Sequence, residues 1–153
     1  MNMIDPDLIF PQLDLKSSDE VISFLAEKLE QAGRVKPSFE QAVKDREKQF
    51  PTGLPSGEIS VAIPHTGVEH VNEASLVFAT LKSPVKFQNM ADKNQSLTVS
   101  FVVMLAMKEP HSQVTMLQSL MQLFQNQDQL KELLSLDDSE QFYSKISKYL
   151  DVV

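Results

Sequence analysis

The side chains best suited to carry a transferred group in this sequence are its three histidines, His65, His70 and His111. A neutral imidazole is a good nucleophile near neutral pH, because its ordinary pKa of about 6.5 leaves a large unprotonated fraction. His65 directly follows Pro64 at the end of an alternating apolar segment, where rigid backbone would hold the ring beside solvent. We therefore predict that His65 can accept a phosphoryl group, with a structural, hydrogen-bonded histidine as the alternative.

Phosphoryl transfer depends on positive charge and N–H donors around the moving oxygens more than on covalent machinery. Arg46 and the helix that starts near Pro110 are the candidates to supply them. A planar guanidinium can bind phosphoryl oxygens through two hydrogen bonds, which a lysine ammonium does less well. The alternative for Arg46 is a surface charge paired with a neighbouring carboxylate. Thr66 is a secondary candidate, because its hydroxyl and N–H follow His65 directly.

Composition and motifs exclude several other classes of function. Acidic residues outnumber basic ones by 21 to 14, and the resulting net charge of −7 disfavours nucleic acid as a partner. The absence of cysteine excludes disulfides, thiolate chemistry and cysteine-based zinc sites. A metal pair of His65 and His70 would lack the further ligands that zinc needs, so neither metal nor cofactor is expected. The common nucleotide-binding and hydrolase motifs are also missing.

Length and patterning indicate one cytoplasmic domain. A chain of 153 residues with 42% hydrophobic content can bury one core, so we predict a single domain over residues 1–153. The N-terminus lacks the basic and apolar regions of a secretion signal, and no apolar run approaches membrane-spanning length. Together with the lack of cysteine, this makes the cytoplasm the expected location.

The elements that must position these residues alternate between helix and strand. Ser17 to Glu20 is a capping-box pattern before a helix that Gly33 ends. Ser38 with Gln41 repeats the pattern before a second helix, which carries Arg46 near its end. Alternating or β-branched apolar runs predict strands at 59–63, 74–81 and 97–107.

Helices are predicted for the remainder of the chain. From Pro110, apolar residues recur at helical spacing, and the predicted buried stripe consists of Val114, Leu117, Met121 and Phe124. Further helical spacing follows around Leu130 and from Phe142 to Leu150. The predicted fold class is therefore α/β, with helices covering a sheet.

Several short motifs occur together in a characteristic order. They are Arg46-Glu47, Pro51-Thr52-Gly53-Leu54, Val61-Ala62-Ile63-Pro64-His65-Thr66, Ser83-Pro84-Val85-Lys86-Phe87 and Leu117-x-x-Leu120. In this order the motifs resemble the enzyme IIA domain of the fructose/mannitol class in the bacterial phosphoenolpyruvate-dependent sugar phosphotransferase system. The Pro-His-Thr sequence, Val71 and Gln113 resemble the galactitol-type branch most closely. The resemblance extends from about Ser17 to Ile146.

This resemblance implies a fold, a reaction and a set of partners. The implied fold is a mixed, roughly five-stranded sheet flanked by helices on both faces. The implied reaction is that of a phosphotransferase component, in which His65 takes a phosphoryl group from the phosphohistidine of the carrier protein HPr. His65 would then pass the group to a cysteine of enzyme IIB, and the sugar would be phosphorylated during transport through the membrane enzyme IIC.

The sequence departs from the family pattern at two places. The loop before the predicted strand at 59–63 reads Gly53-Leu54-Pro55-Ser56-Gly57-Glu58 rather than a more glycine-rich sequence. The position of the family's second histidine is occupied by Gln113, and His111 lies two residues earlier. Residues two apart on a helix point about 200° away from each other. We therefore expect Gln113 to face the site, with His111 as the alternative.

Two other functions share this pattern. A regulatory phosphocarrier of the same fold would also use His65, but would signal by binding other proteins. A non-catalytic interaction domain would retain His65 only as a structural residue.

Overall fold

The computed structural model describes residues 3–150, so the outermost residues of the predicted 1–153 domain lie outside the described range. Its strands are β1 (Ile9–Leu13), β2 (Gly53–Leu54), β3 (Ser60–Ala62), β4 (Ser75–Asn89) and β5 (Asp92–Ala106). Its α-helices are α1 (Ser18–Gln31), α2 (Phe39–Gln49), α3 (Pro110–Gln125), α4 (Gln127–Ser135) and α5 (Ser139–Leu150). None of these helices is long and apolar enough to cross a membrane.

The strands form one mixed five-stranded sheet, as predicted. β4 and β5 make a long antiparallel hairpin, with Ser75 opposite Ala106 at one end and Asn89 opposite Asp92 at the other. β1 pairs in parallel with β4, and β3 pairs in parallel with β5. The short β2 is antiparallel to β3 and meets the end of β4. β1 and β2 were not predicted, and β4 and β5 are longer than the apolar runs that predicted them.

Helices cover both faces of the sheet, which confirms the predicted α/β class. α1 and α2 pack on one face through a buried cluster that includes Leu25 and Phe39. The other face carries α3, α4 and α5 over a cluster of aromatic rings. The ring of Phe101 lies at its centre, with centroids 6.4 Å from Phe78 and 6.1 Å from Phe142. Because side chains alternate along a strand, β5 contributes to both clusters.

The predicted capping signals hold for α1 but not for α2. The Ser17 hydroxyl accepts from the Glu20 N–H, and Gly33 adopts a φ of +75° just after the helix. The prediction of Ser38 as a side-chain cap of α2 is wrong, because its backbone is helical and its side chain makes no capping bond. Its hydroxyl lies 2.8 Å from Nδ1 of His70 instead. The Ser38 hydroxyl therefore contacts His70, which is distant in the sequence, rather than a backbone N–H of α2.

The buried face of α3 also differs from the predicted stripe. The side chains that the structure buries are Met116, Leu120, Leu123 and Phe124. The prediction was wrong for Val114 and Met121, which are 53% and 37% exposed, and Leu117 is only partly buried. Apolar residues surround much of this helix, so periodicity alone does not select between two overlapping arcs. Packing against the sheet and α5 makes the selection.

The loop that departs from the family pattern is anchored to the junction between α3 and α4. The Ser56 hydroxyl donates to the Phe124 carbonyl, and the Ile59 N–H donates to Oε1 of Gln127 at 3.1 Å. Gly57 adopts a φ of +67°, a conformation that favours glycine. These contacts hold the chain just before it enters β3.

Candidate functional site

His65 lies just beyond the carboxyl end of β3. Its backbone continues beside β5, where it forms a parallel bridge with Leu105, and the Leu105 N–H donates to the Pro64 carbonyl at 3.0 Å. Pro64 itself lacks an N–H and holds Ile63 in an extended conformation. The backbone on both sides of His65 is therefore constrained by the sheet, while the imidazole is only partly buried.

A backbone carbonyl determines which ring nitrogen of His65 carries the proton. Nδ1 of His65 lies 2.7 Å from the Ile63 carbonyl oxygen. A carbonyl oxygen can only accept a hydrogen bond, so Nδ1 must be the protonated nitrogen. In the neutral ring, Nε2 then holds the lone pair, and within residues 3–150 no group hydrogen-bonds to it. Nε2 is therefore the ring nitrogen whose lone pair faces away from this backbone contact.

The surroundings of His65 favour the neutral ring. Burial lowers the pKa of His65 below its ordinary value, and the positive charge of Arg46 lowers that pKa further. The hydrogen bond to the Ile63 carbonyl acts in the opposite direction, because it stabilises the protonated ring. The net lowering of the pKa increases the fraction of unprotonated Nε2 at neutral pH.

His65 opens into a cleft of about 550 Å³. The cleft is lined by Arg46, Gln49, Phe50, Pro51, Thr52, His65, Met90, Ala91, Lys93 and Leu117. Among the residues that line the cleft in the described part of the chain, Arg46 and Lys93 are cationic, and none has a carboxylate. In a chain with a net charge of −7, this arrangement makes the cleft locally suited to an anion.

Arg46 lies in the last turn of α2, as predicted, and its side chain is exposed. Its guanidinium carbon lies 5.4 Å from the centre of the Phe50 ring. Within the described part of the chain, no carboxylate comes within ion-pair distance of Arg46. The structure therefore brings Arg46 and His65 to one cleft and leaves the guanidinium able to bind a ligand.

The other predicted site residues lie outside the set that lines this cleft. Gln113 is partly buried and lies one helical turn before Leu117, the residue of α3 that reaches the cleft. His111 is exposed in the first turn of α3, where its carbonyl accepts from the Thr115 hydroxyl. Thr66 is buried beside His65. The roles predicted for Gln113, His111 and Thr66 stay predictions.

Glu47 and Thr52, which are not among the predicted site residues, form hydrogen bonds that lead to the backbone next to His65. The carboxylate of Glu47 accepts from both the N–H and the hydroxyl of Thr52, each at 2.8 Å. Oγ1 of Thr52 accepts in turn from the Ile63 N–H at 3.2 Å. Both residues belong to the short motifs of the sequence, and this membership is the signal that could have identified them. Met90 lies in the turn between β4 and β5, and Lys93 lies at the start of β5; no local pattern points to either residue.

His70 ends a short 3-10 turn, Val68–His70, that follows His65 in the chain. Its Nδ1 contacts the Ser38 hydroxyl, and its Nε2 lies 3.4 Å from the Glu69 carboxylate. Between residues 3 and 150, no cluster of three or more histidine and acidic side chains could hold a metal ion.

The fold and the cleft define a mixed-sheet α/β protein in which one imidazole, that of His65, lines a cleft with two cationic side chains. The family model described as "Phosphoenolpyruvate-dependent sugar phosphotransferase system, EIIA 2" matches residues 2–149. The chain belongs to this family.

Individual relatives agree with the family. The galactitol-specific EIIA component of Escherichia coli (strain K12) is 28% identical over 121 residues, which cover 79% of this chain and 80% of the relative. A nitrogen regulatory protein of Bradyrhizobium diazoefficiens is 25% identical over 147 residues, covering 95% and 93%. The solved complex of enzyme IIAMTL and phosphorylated enzyme IIBMTL from Escherichia coli contains a chain with a TM-score of 0.72 and 27% identity, covering 95% and 94%.

Proposed function

We propose that this chain is the cytoplasmic phosphoryl carrier of a phosphotransferase system that takes up a galactitol-like sugar or sugar alcohol. It accepts a phosphoryl group from phospho-HPr on His65 and passes the group to a cysteine of enzyme IIB, which serves the membrane enzyme IIC. The observation that carries this proposal is the pairing of Nδ1 of His65 with the Ile63 carbonyl. This pairing leaves Nε2 as the nucleophile in a cationic cleft.

The chemistry consists of two exchanges of a nitrogen–phosphorus bond. In the first, the Nε2 lone pair attacks phosphorus, an Nε2–P bond forms, and the donor imidazole leaves with the electrons of its own N–P bond. The phosphorylated His65 ring keeps its proton on Nδ1, where the Ile63 carbonyl stabilises it. In the second exchange, a thiolate of the acceptor attacks phosphorus, and His65 leaves as a neutral imidazole.

The cations of the cleft act on the charge of the moving group. The guanidinium of Arg46 is shaped to bind two phosphoryl oxygens, and Lys93 adds a second positive charge at the same cleft. The donor and the acceptor both present an anionic phosphoryl group at some stage, so this charge serves both exchanges. Burial is the main cause that lowers the pKa of His65, and the charge of Arg46 adds to it, so both favour the neutral ring that can attack phosphorus.

Apolar side chains around the cleft support transfer between proteins. Phe50 and Met90 line the cleft and are 62% and 46% exposed. Val114 and Met121 are also exposed and share a face of α3 with Leu117, which lines the cleft. Exposed apolar groups that cluster at one place are typical of protein–protein contact sites. HPr and enzyme IIB would dock in turn on this apolar surface.

The relatives support the sugar transport role and also keep the regulatory alternative open. The galactitol-specific EIIA component favours uptake of a sugar alcohol. The nitrogen regulatory protein favours a regulatory phosphocarrier of the same fold, which would use the same histidine. The two roles differ in the acceptor, so only a transfer experiment separates them.

The test is incubation of the purified chain with HPr, the first enzyme of the system and labelled phosphoenolpyruvate. We expect an acid-labile, base-stable label on wild type, no label on His65→Ala with its fold intact, and normal labelling of the control His70→Ala. Label that persists in His65→Ala would contradict the proposal. Label without transfer to any enzyme IIB would indicate the regulatory function, and an unlabelled wild-type chain would indicate an interaction domain.

A further inference from the structure

Glu47 is an acidic side chain of the site for which the transfer steps give no role. Although it lies one position after Arg46 on α2, it does not line the cleft of His65. Its side chain is partly buried, and Thr52 donates a hydrogen bond to each of its two carboxylate oxygens. Burying a carboxylate costs free energy. We therefore expect a role for Glu47 in the hydrogen bonds around His65.

The hydrogen bonds from Glu47 reach His65 through Thr52 and the backbone of Ile63. Both donors of Thr52 point at Glu47, so the lone pairs of the Thr52 hydroxyl are left to accept from the Ile63 N–H. The carbonyl of the same Ile63 accepts from Nδ1 of His65 at 2.7 Å. One residue, Ile63, is therefore held at its N–H by Thr52 and at its carbonyl by His65.

The charge on Glu47 gives this chain of hydrogen bonds its direction. Above its pKa of about 7, Glu47 is ionised and can only accept, so the Thr52 hydroxyl must donate to it and present its lone pairs to Ile63. An amide at position 47 keeps only one acceptor oxygen, so its NH2 group would face either the Thr52 N–H or the Thr52 hydroxyl, and one of the two hydrogen bonds would be lost. Thr52 and Ile63 are buried, so water does not replace a lost partner cheaply.

We propose that Glu47 is a positioning residue that, through Thr52 and Ile63, holds the proton of His65 on Nδ1 and keeps Nε2 unprotonated toward the cleft. The inference deepens the proposed function, because it assigns the origin of the reactive tautomer. It concerns the unphosphorylated protein, and so it is measurable without any partner.

The first test is the nitrogen NMR signature of the His65 ring in the 15N-labelled chain at mildly alkaline pH. We expect wild type to show a protonated Nδ1 and an unprotonated Nε2, and Glu47→Gln to shift both signals toward a mixture of tautomers. Thr52→Val should cause the same shift, since it removes the hydroxyl at nearly constant volume, and Thr52→Ser should restore the wild-type signals. Asp45→Asn, a matched change on α2 at an exposed carboxylate, should leave them unchanged.

The second test is the rate at which His65 takes a phosphoryl group from phosphoramidate, a small donor that needs no docking surface. We expect this rate to fall about tenfold in Glu47→Gln and in Thr52→Val, and the double variant to be little slower than either. Effects that multiply in the double variant would contradict action through one shared chain of hydrogen bonds. Unchanged NMR signals and rate in a folded Glu47→Gln would overturn the inference.

These outcomes separate the inference from the proposed function. If wild type receives no label from phospho-HPr, but Glu47→Gln still slows its reaction with phosphoramidate, then the proposed function fails and the inference stands. If wild type transfers normally, and Glu47→Gln changes neither the NMR signals nor the rate, then the inference fails alone.

Discussion

The carboxyl group of Glu47 predicts a specific dependence of stability on pH. Burial raises its pKa from 4.5 to about 7, and the two hydrogen bonds from Thr52 offset only part of this effect. Between these pH values the folded state binds the proton more tightly than the unfolded state does. The stabilisation is therefore fully present below pH 4.5 and is lost as the pH rises to about 7.

The size of this effect follows from the shift in the pKa. At about 1.4 kcal/mol per unit, a rise from 4.5 to about 7 corresponds to roughly 3 kcal/mol as an upper limit. His65 contributes with the opposite sign, because its pKa is lowered and stability rises with pH toward its ordinary value of 6.5. That contribution cancels between wild type and Glu47→Gln only where the variant leaves the pKa of His65 unchanged.

The assay is equilibrium urea unfolding of wild type and Glu47→Gln across this pH range. We expect the free energy of unfolding of wild type, relative to the variant, to fall by up to roughly 3 kcal/mol from pH 4.5 to about 7. Repeating the comparison in a His65→Ala background checks that the histidine cancels. Parallel curves for the two proteins, in either background, would show that the carboxyl group titrates normally and would refute the reasoning.

Three further predictions concern the cleft and its frame. Arg46→Ala should slow transfer by about 10²-fold and raise the pKa of His65, measured by NMR, with unchanged stability. Arg46→Lys should recover only part of the rate. Transfer at the wild-type rate in Arg46→Ala would show that Arg46 is only a solvated surface charge. Transfer should fall more in Gln113→Ala than in His111→Ala, and the reverse order would assign the second-histidine role to His111. In Gly53→Ala the new Cβ would collide with the Gln88 carbonyl oxygen, so urea unfolding should give a loss of about 1–3 kcal/mol, and an unchanged midpoint would contradict the close approach of β2 and β4.

The end of the strand just before His65 could be predicted, because the residues that determine it are neighbours in the sequence. Pro64 restricts Ile63 to extended backbone and removes one N–H, so the end of a strand just before His65 follows from the sequence. The capping of α1 by Ser17 and its termination at Gly33 are local for the same reason, and both are confirmed. Arg46 near the end of α2 follows from helical spacing.

Elements that depend on distant partners were missed or misplaced. β1 and β2 are short, and they become strands only because β4 and β3 pair with them. Ser38 has a hydroxyl suited to capping, yet His70 takes it, and no local pattern reveals that competition. On α3 the sequence offers two apolar arcs, and only packing against the sheet leaves Val114 and Met121 exposed.

By itself, the sequence determined the α/β class and the family, and it predicted His65 as the phosphoryl carrier, because these depend on residue types, their order and local backbone restrictions. The tertiary structure alone decided which nitrogen of His65 carries the proton and what surrounds the ring. Lys93 reaches the cleft from the start of β5, while Glu47 lies near the end of α2 and Thr52 follows that helix. Hydrogen-bond direction and local charge depend on distances between segments far apart in the chain, and only folding brings those segments together.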